Sequence, residues 1–393
     1  MKRSTDRILT THAGSLPRPQ DVRELVTASS EGKPVDQEAL DAALDRGVAE
    51  VVRLQIESGI DSVNDGELAK SNFSNYAKER LGGFEIRQFE VGKEPPPSSI
   101  SGRDMKEFPE YFAEGLNFGG ESRRQIGARQ SRDYLACTGP LTYVGLAAVR
   151  ADVARFKKAL DGKSVAEAFL PAVAPGTIEH WLKNDFYKTD AEYLFAIADA
   201  MHDEYKAIVD GGFMLQIDDP DLADGWQLHP EMSVADYRKF AELRIDALNH
   251  ALRDLPREQI RFHMCWGSYH GPHKYDIPLK DIVDIILKVK ADCYSIEASN
   301  PCHAHEWEVW QNVKLPNGSF LVPGVVGHFS DFIEHPELVA ERLVQYAKIV
   351  GRENVVAGTD CGLGPRVGHA SICWAKFQAM SEGAAIATRR LWS

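Results

Sequence analysis

With 393 residues the chain has room for one large barrel or for two to three ordinary domains. Apolar residues make up 44%, enough for a sizeable core, yet no apolar run is long enough to cross a bilayer. A formal net charge of -13 disfavours nucleic acid and anionic membranes as partners.

The first strand is expected over 8–15, where Pro17 and Pro19 bar a direct continuation as helix. Asp36 then caps an amphipathic helix that carries Leu40, Leu44, Val48, Val51, Val52 and Ile56 at helical spacing and stops at Gly59. A second strand follows at 60–67. Residues 70–130 break the pattern: they are rich in charge, Gly and Pro, with Pro95, Pro96 and Pro97 at the centre. Scattered aromatics (Phe73, Tyr76, Phe84, Phe89, Phe108, Tyr111, Phe112, Phe118) argue for a folded insertion, a lid or a subunit contact.

The third strand is expected at 134–140, followed by helix at 148–160 and a second insert around 170–176. Helix returns at 190–210, and a strand at 213–218 ends in Asp219-Pro220. The remaining pairs are helix 233–253 with strand 260–265, helix 279–290 with strand 293–297, a strand at 320–326, and helix 336–350 with strand 355–361. A helix over 371–388 closes the chain. Eight strands alternating with helices make an α/β fold, a parallel (β/α)8 TIM barrel, with a long insertion after strand 2 inside one domain spanning 1–393. A doubly wound sheet would need a Gly-rich phosphate loop after strand 1, and residues 13–17 are not one.

In such a barrel, chemistry collects at the C-terminal strand ends. His263 and Cys265 sit two apart on one strand and therefore share a face. Glu297 and Cys361 end two further strands. Any one of these alone reads as a buried His, an inert Cys or a salt-bridged Glu. Four together at strand ends suit a tetrahedral zinc ion. Two thiolates and a carboxylate make the metal a poor Lewis acid, but they suit it to holding an incoming thiolate that stays nucleophilic. The implied reaction is alkyl transfer to sulfur. Six cysteines without a CxxC pair, and a basic start with no apolar stretch behind it, fit a reducing cytoplasm and no secretion signal.

These residues resemble the C-terminal catalytic barrel of the cobalamin-independent methionine synthase family. The similarity runs from about Thr10 to Gly362 and includes the Asp360-Cys361-Gly362 turn. It implies His263, Cys265, Glu297 and Cys361 as zinc ligands, homocysteine as the thiol, and a methyl donor that is a folate, a methyl-corrinoid or another small molecule. Gly14-Ser15 looks like the pair that contacts homocysteine through the backbone. Asp65-Gly66-Glu67 looks like the motif whose Glu holds the substrate amino group. Residues 138–140 resemble the strand 3 signature, and 216–220 the motif whose first carboxylate, Asp218, also grips the amine. Salt bridges to neighbouring Arg residues are the plainer reading of Glu67 and Asp218.

The departures are specific. Full-length members carry an N-terminal barrel that helps bind polyglutamylated folate, and this sequence has no counterpart. After strand 7 the family places a His taken as the proton donor; here Phe329 stands there and His328 precedes it. His328, His303 and His305 are therefore the candidate acids, with Trp266, His270 and His273 also near the rim. Each alone reads more simply as an ordinary loop residue.

Single-barrel relatives also resemble epoxyalkane:coenzyme M transferases, in which a zinc-bound thiol opens an epoxide. Glu67 and Asp218 favour an amino-bearing thiol. A sulfonate would prefer basic residues such as Arg18, Arg123, Arg124 or Arg129. A metal-free porphyrin decarboxylase and a non-catalytic binding protein are the remaining alternatives, and a homo-oligomer stays open.

Overall fold

Helix Gln37–Glu57 begins as its sequence predicts: the Asp36 side chain accepts hydrogen bonds from the backbone of Glu38 and Ala39. Gly59 ends the run with φ +79°. A computed structural model describes the chain apart from residues 74–75, 89–101, 114–132, 269–270 and 365.

Seven parallel strands follow one another in a single sheet. In order they are Ser62–Val63, Glu167–Val173, Met214–Asp218, Ile260–Met264, Cys293–Ile296, Phe320–Val326 and Gly358–Thr359. The segment around Thr10 closes the ring. The Thr11 amide donates to the Ala357 carbonyl and the Ala357 amide to the Leu9 carbonyl. On its other side the Thr10 carbonyl accepts from the amides of Asp61 and Ser62. Eight parallel positions result, as a TIM barrel requires. Strands Ile260–Met264, Cys293–Ile296 and Phe320–Val326 are buried throughout, as expected of strands covered on both faces.

Two assignments are corrected. The third barrel strand is Glu167–Val173, inside the stretch read as a second insert. Residues 134–140 belong instead to Asp133–Tyr143, which pairs antiparallel with Leu81–Gln88 in a separate three-stranded sheet completed by Lys183–Asn184. Pro171 disguised the true strand, because proline within an apolar run reads as a breaker. The helix expected at 279–290 is only a 3-10 turn, Leu279–Asp281, and one helical turn, Val283–Ile286. Pro95–Pro97, Phe89, Phe118, Arg123, Arg124, Arg129 and His270 lie outside the described residues.

A buried ionic knot fastens this hairpin to the barrel. Arg80 meets Asp152 at 2.5 Å and Glu204 at 3.3 Å. The hydroxyls of Tyr76 and Tyr143 each donate to Glu204 at 2.6 Å. The Tyr76 oxygen also accepts from the amide of Val173, on the third barrel strand, at 3.1 Å. Among the described residues, no helix is long and apolar enough to cross a membrane.

Candidate metal and substrate site

Alternation along Ile260–Met264 and just beyond it puts residues 261, 263 and 265 on one face, at rising height in the barrel. Arg261 fills the lower layer. It donates to Gln216 Oε1 at 2.5 Å, to Thr11 Oγ1 at 2.8 Å and to the His12 carbonyl, and lies over the Phe169 ring. Next up is His263, whose Nδ1 lies 3.0 Å from Ser295 Oγ, while Nε2 is buried with no hydrogen-bond partner among the described residues. Above it, Cys265 Sγ stands 3.9 Å from Cys361 Sγ. Ligand atoms of His263, Cys265 and Cys361 all lie within 4.8 Å of one another. A hydrogen bond from Cys265 and the nearby His263 hold the Cys361 thiol well below its usual range. The same bond to Cys361, with burial, pushes Cys265 up. One proton is thus shared by two sulfurs.

This donor set fits a zinc ion. Two sulfurs at zinc–sulfur distances of about 2.3 Å on a tetrahedron stand about 3.8 Å apart. A buried imidazole nitrogen without a partner, facing two thiols, is the other half of the fit.

Glu297 does not join that group. It lies with His328 and Asp360, whose ligand atoms fall within 4.8 Å of its own. Its Oε2 accepts from the Trp266 amide at 2.9 Å and its Oε1 from Asn300 Nδ2 at 3.0 Å. Burial, reinforced by Asp360, raises its pKa to about 8. Glu297 therefore grips the backbone next to Cys265. Asp360 was not singled out for a role of its own. It accepts from the amides of Ala298 and Ser299 at 2.8 and 2.9 Å, and so ties the loop after Glu297 to the turn that carries Cys361. Its place beside Cys361 was the only signal in the sequence.

The expected substrate residues do gather. Glu67 is buried at φ +55°, and its Oε2 has no hydrogen bond among the described residues; Lys70 Nζ stands 3.6 Å away, a charge contact longer than a hydrogen bond. Asp218 accepts from Gln216 Nε2 at 2.6 Å, so Arg261 and Gln216 aim it from below. Burial and the charge of Glu67 push the Asp218 carboxyl well above its usual range. Gly14, at φ +142°, comes so close that a Cβ there would lie 2.6 Å from Glu67 Oε1. Asn64 Nδ2 holds the Gly14 carbonyl at 3.1 Å. Ser15 abuts Gly362, beside Cys361: a Cβ on Gly362 would meet Ser15 Oγ at 2.7 Å.

The candidate acids divide. His328 is fully buried, neither ring nitrogen has a hydrogen-bond partner among the described residues, and burial pulls its pKa down to about 3. His303 stacks on Trp266 with ring centroids 3.7 Å apart. Its Nδ1 meets Glu306 and its Nε2 meets Asp276, both at 3.0 Å. Burial opposes its charge, but these carboxylates win and raise its pKa to about 10. His305 is exposed at the start of the 3-10 helix Glu306–Gln311, away from the buried cluster.

Known proteins resemble this chain over most of its length. Residues 110–385 match the family model described as cobalamin-independent synthase, catalytic domain. The chain is 25% identical over 357 residues to a methionine synthase of Sulfolobus acidocaldarius, covering 90% of this chain and 85% of that one. It is 23% identical over 380 residues to one from Thermococcus kodakarensis, covering 96% and 93%. Among solved structures, a B12-independent methionine synthase from Shewanella sp. W3-18-1 in complex with selenomethionine shares the fold. Its TM-score is 0.70 at 20% identity, over 98% of this chain and 99% of that one. The family match spans most of the barrel and takes in the strand ends that carry His263, Cys265, Glu297 and Cys361, and on that ground the chain belongs to the cobalamin-independent synthase catalytic-domain family.

Proposed function

We propose that this protein transfers a methyl group to the sulfur of homocysteine, forming methionine, in a single catalytic barrel. His263, Cys265 and Cys361 would hold a zinc ion; Glu297, expected as a fourth ligand, instead holds the Trp266 amide beside Cys265 and would have to turn from it to reach the ion. When bound, the ion would lower the pKa of the incoming thiol so that it stays ionised near neutral pH. The observation that carries this reading is the convergence of two thiols and an unpartnered imidazole nitrogen in a barrel whose mouth also holds two buried carboxylates, Glu67 and Asp218.

The protein's own side chains then have definite tasks. Glu67 and Asp218 receive the substrate ammonium, which offsets the cost of burying two like charges together. The backbone of Gly14 and Ser15 lines the same end, and Asn64 fixes it. Gln216 and Arg261 keep Asp218 aimed upward. Asp360 keeps the loops bearing Glu297 and Cys361 in register. The substrate sulfur then displaces the donor's leaving atom at the methyl carbon. Six free cysteines, two of them in this site, suit a cytoplasmic setting.

Incubation of the zinc-loaded protein with homocysteine and a panel of methyl donors tests the proposal. Methionine should form; no thioether from any donor would sink it. One observation favours a second reading. The Arg366 guanidinium lies within electrostatic reach of both Cys361 and Cys265, where it would suit the sulfonate of coenzyme M. Coenzyme M with epoxypropane, run in parallel, yields a hydroxyalkyl thioether only if the barrel opens epoxides.

A further inference from the structure

We propose that Glu297, His328 and Asp360 form a second cation site, beside the thiol cluster and separate from it, for a first-row divalent ion that prefers nitrogen and oxygen donors. Such a site goes beyond the alkyl-transfer reading and stands or falls without it. The three residues lie just past the ends of Cys293–Ile296, Phe320–Val326 and Gly358–Thr359, which are neighbours in the barrel sheet. Their ligand atoms all lie within 4.8 Å of one another, and the group shares no residue with His263, Cys265 and Cys361.

His328 points to a ligand. It is 0% exposed, and both ring nitrogens lack a hydrogen-bond partner among the described residues. A neutral imidazole carries one donor and one acceptor nitrogen. Buried polar atoms in folded proteins are nearly always paired, and an orphan calls for a bound ion or water. Beside this ring stand two carboxylates that are themselves buried, Glu297 at 2% and Asp360 at 0% exposure. The cations that act on them are engaged elsewhere. Arg342 donates to the Val325 carbonyl, and His303 sits between Asp276 and Glu306. Two like charges this close and out of water repel unless a proton or a cation lies between them. Donors about 2.1 Å from one ion stand about 3 to 4 Å apart, so a small inward turn of the side chains closes the site.

Both carboxylates are held as metal ligands are held. A carboxylate offers about four lone-pair sites. Asp360 spends three of them, on the amides of Ala298 and Ser299 and on Ser299 Oγ at 2.5 Å. Glu297 spends two, on the Trp266 amide and Asn300 Nδ2. Each keeps a lone pair for an ion, and the hydrogen bonds already made are the outer partners that orient a metal-binding carboxylate. Charge balances too. Two thiolates neutralise one dication and two carboxylates the other, and each ion gains one neutral imidazole. Without sulfur, and with an imidazole, the second set suits manganese, ferrous iron, cobalt or zinc better than magnesium or calcium. Glu297 then serves this ion and not the thiol-bound one.

Counting ions on the full, reduced chain tests the site. Zinc is loaded to one equivalent, and Mn2+ is then titrated while the free ion is followed by electron paramagnetic resonance. The wild type should bind one further Mn2+. His328→Gln and Glu297→Gln should each weaken that Mn2+ by at least about tenfold. Cys265→Ser, titrated without zinc, should keep it. Cobalt supplies the control for folding. In the wild type the first Co2+ should show thiolate-to-cobalt charge transfer and the second should add none. His328→Gln should retain that band and lose the second equivalent. A wild type that binds one ion only would overturn the proposal. So would a second equivalent that survives both substitutions, or a natively folded His328→Gln protein that loses the thiolate band, which would put His328 on the thiol-bound ion. A wild type without the thiolate band would count instead against the thiol site and the function proposed from it, and the Mn2+ count would still decide here.

Discussion

The sulfurs of Cys265 and Cys361 stand 3.9 Å apart, with the bare Nε2 of His263 beside them. Without a metal the pair shares a proton, low on Cys361 and high on Cys265. A cation must displace that proton to bind, so zinc affinity should rise with pH. Cys265→Ser, Cys361→Ser and His263→Ala should each weaken zinc by more than the roughly 10- to 100-fold that loss of an outer partner costs. Glu297→Gln should weaken it less, because the other three converge without it. Competition against a chelator, with metal content measured on the same samples, decides. Cys361→Ser holding zinc as tightly as wild type would refute the site.

A second expectation concerns the amine pocket. Burial and the neighbouring charge of Glu67 keep Asp218 protonated well above its usual range. An ammonium ligand needs Asp218 ionised. Binding must therefore expel a proton at low pH, and affinity should climb as pH rises until Asp218 ionises unaided. Methionine is the right probe, because it carries the amine without a titrating thiol. Calorimetry should find tighter methionine binding with rising pH in the wild type. Asp218→Asn should bind about 2–5 kcal/mol more weakly and lose most of the pH dependence. A variant with unchanged affinity would remove Asp218 from the pocket.

Much of this was legible in the sequence, for physical reasons that differ from residue to residue. The helix from Asp36 was readable because its cap and its 3.6-residue spacing are local. His263 and Cys265 were readable because two-residue alternation puts them on one face whatever their surroundings. The third barrel strand was not readable. Strand propensity at 134–140 is real, but whether a strand joins the barrel or a hairpin depends on distant partners. Glu297 was placed at the correct end of the barrel, yet its hydrogen bonds to Trp266 and Asn300 come from loop geometry that no spacing reveals. His303 reads as a candidate acid until the carboxylates of Asp276 and Glu306, brought in by folding, lock both nitrogens.

The ionic knot around Arg80 makes a stability prediction. Arg80 is the cation between Asp152 and Glu204, all three of them nearly or fully buried. Removing it takes the cation from Glu204, which keeps only its two tyrosine hydroxyls, and leaves Asp152 with Arg155 at 3.4 Å, so Arg80→Ala should cost about 3 kcal/mol. Burial opposes the charge on Glu204, but Arg80 and Lys70 overcome it and hold its pKa below the usual value. A depressed carboxylate stabilises the fold above its unfolded pKa, and that stability disappears as pH falls through the folded value. Urea unfolding should therefore show the gap between wild type and Arg80→Ala narrowing in acid. A gap that stays constant down to strongly acidic pH would mean that lost packing, and not lost charge, explains the cost.

His303 gives a pH-dependent prediction of the opposite sign. Its pKa is raised to about 10 because Asp276 and Glu306 outweigh burial. A histidine raised in the folded state contributes its full stabilisation below the unfolded value of about 6.5. That contribution shrinks as pH climbs and is gone above the folded pKa. The slope cannot exceed about 1.4 kcal/mol per pH unit for one proton. His303→Gln should thus be clearly less stable than wild type at pH 6, with the difference falling steadily toward pH 10. Chemical denaturation of both proteins across that range measures it. NMR of the His303 ring gives an independent check, since the imidazolium should persist past pH 8. A ring that titrates near pH 6.5 would show that the two carboxylates do not hold its proton, and the stability difference should then be flat with pH.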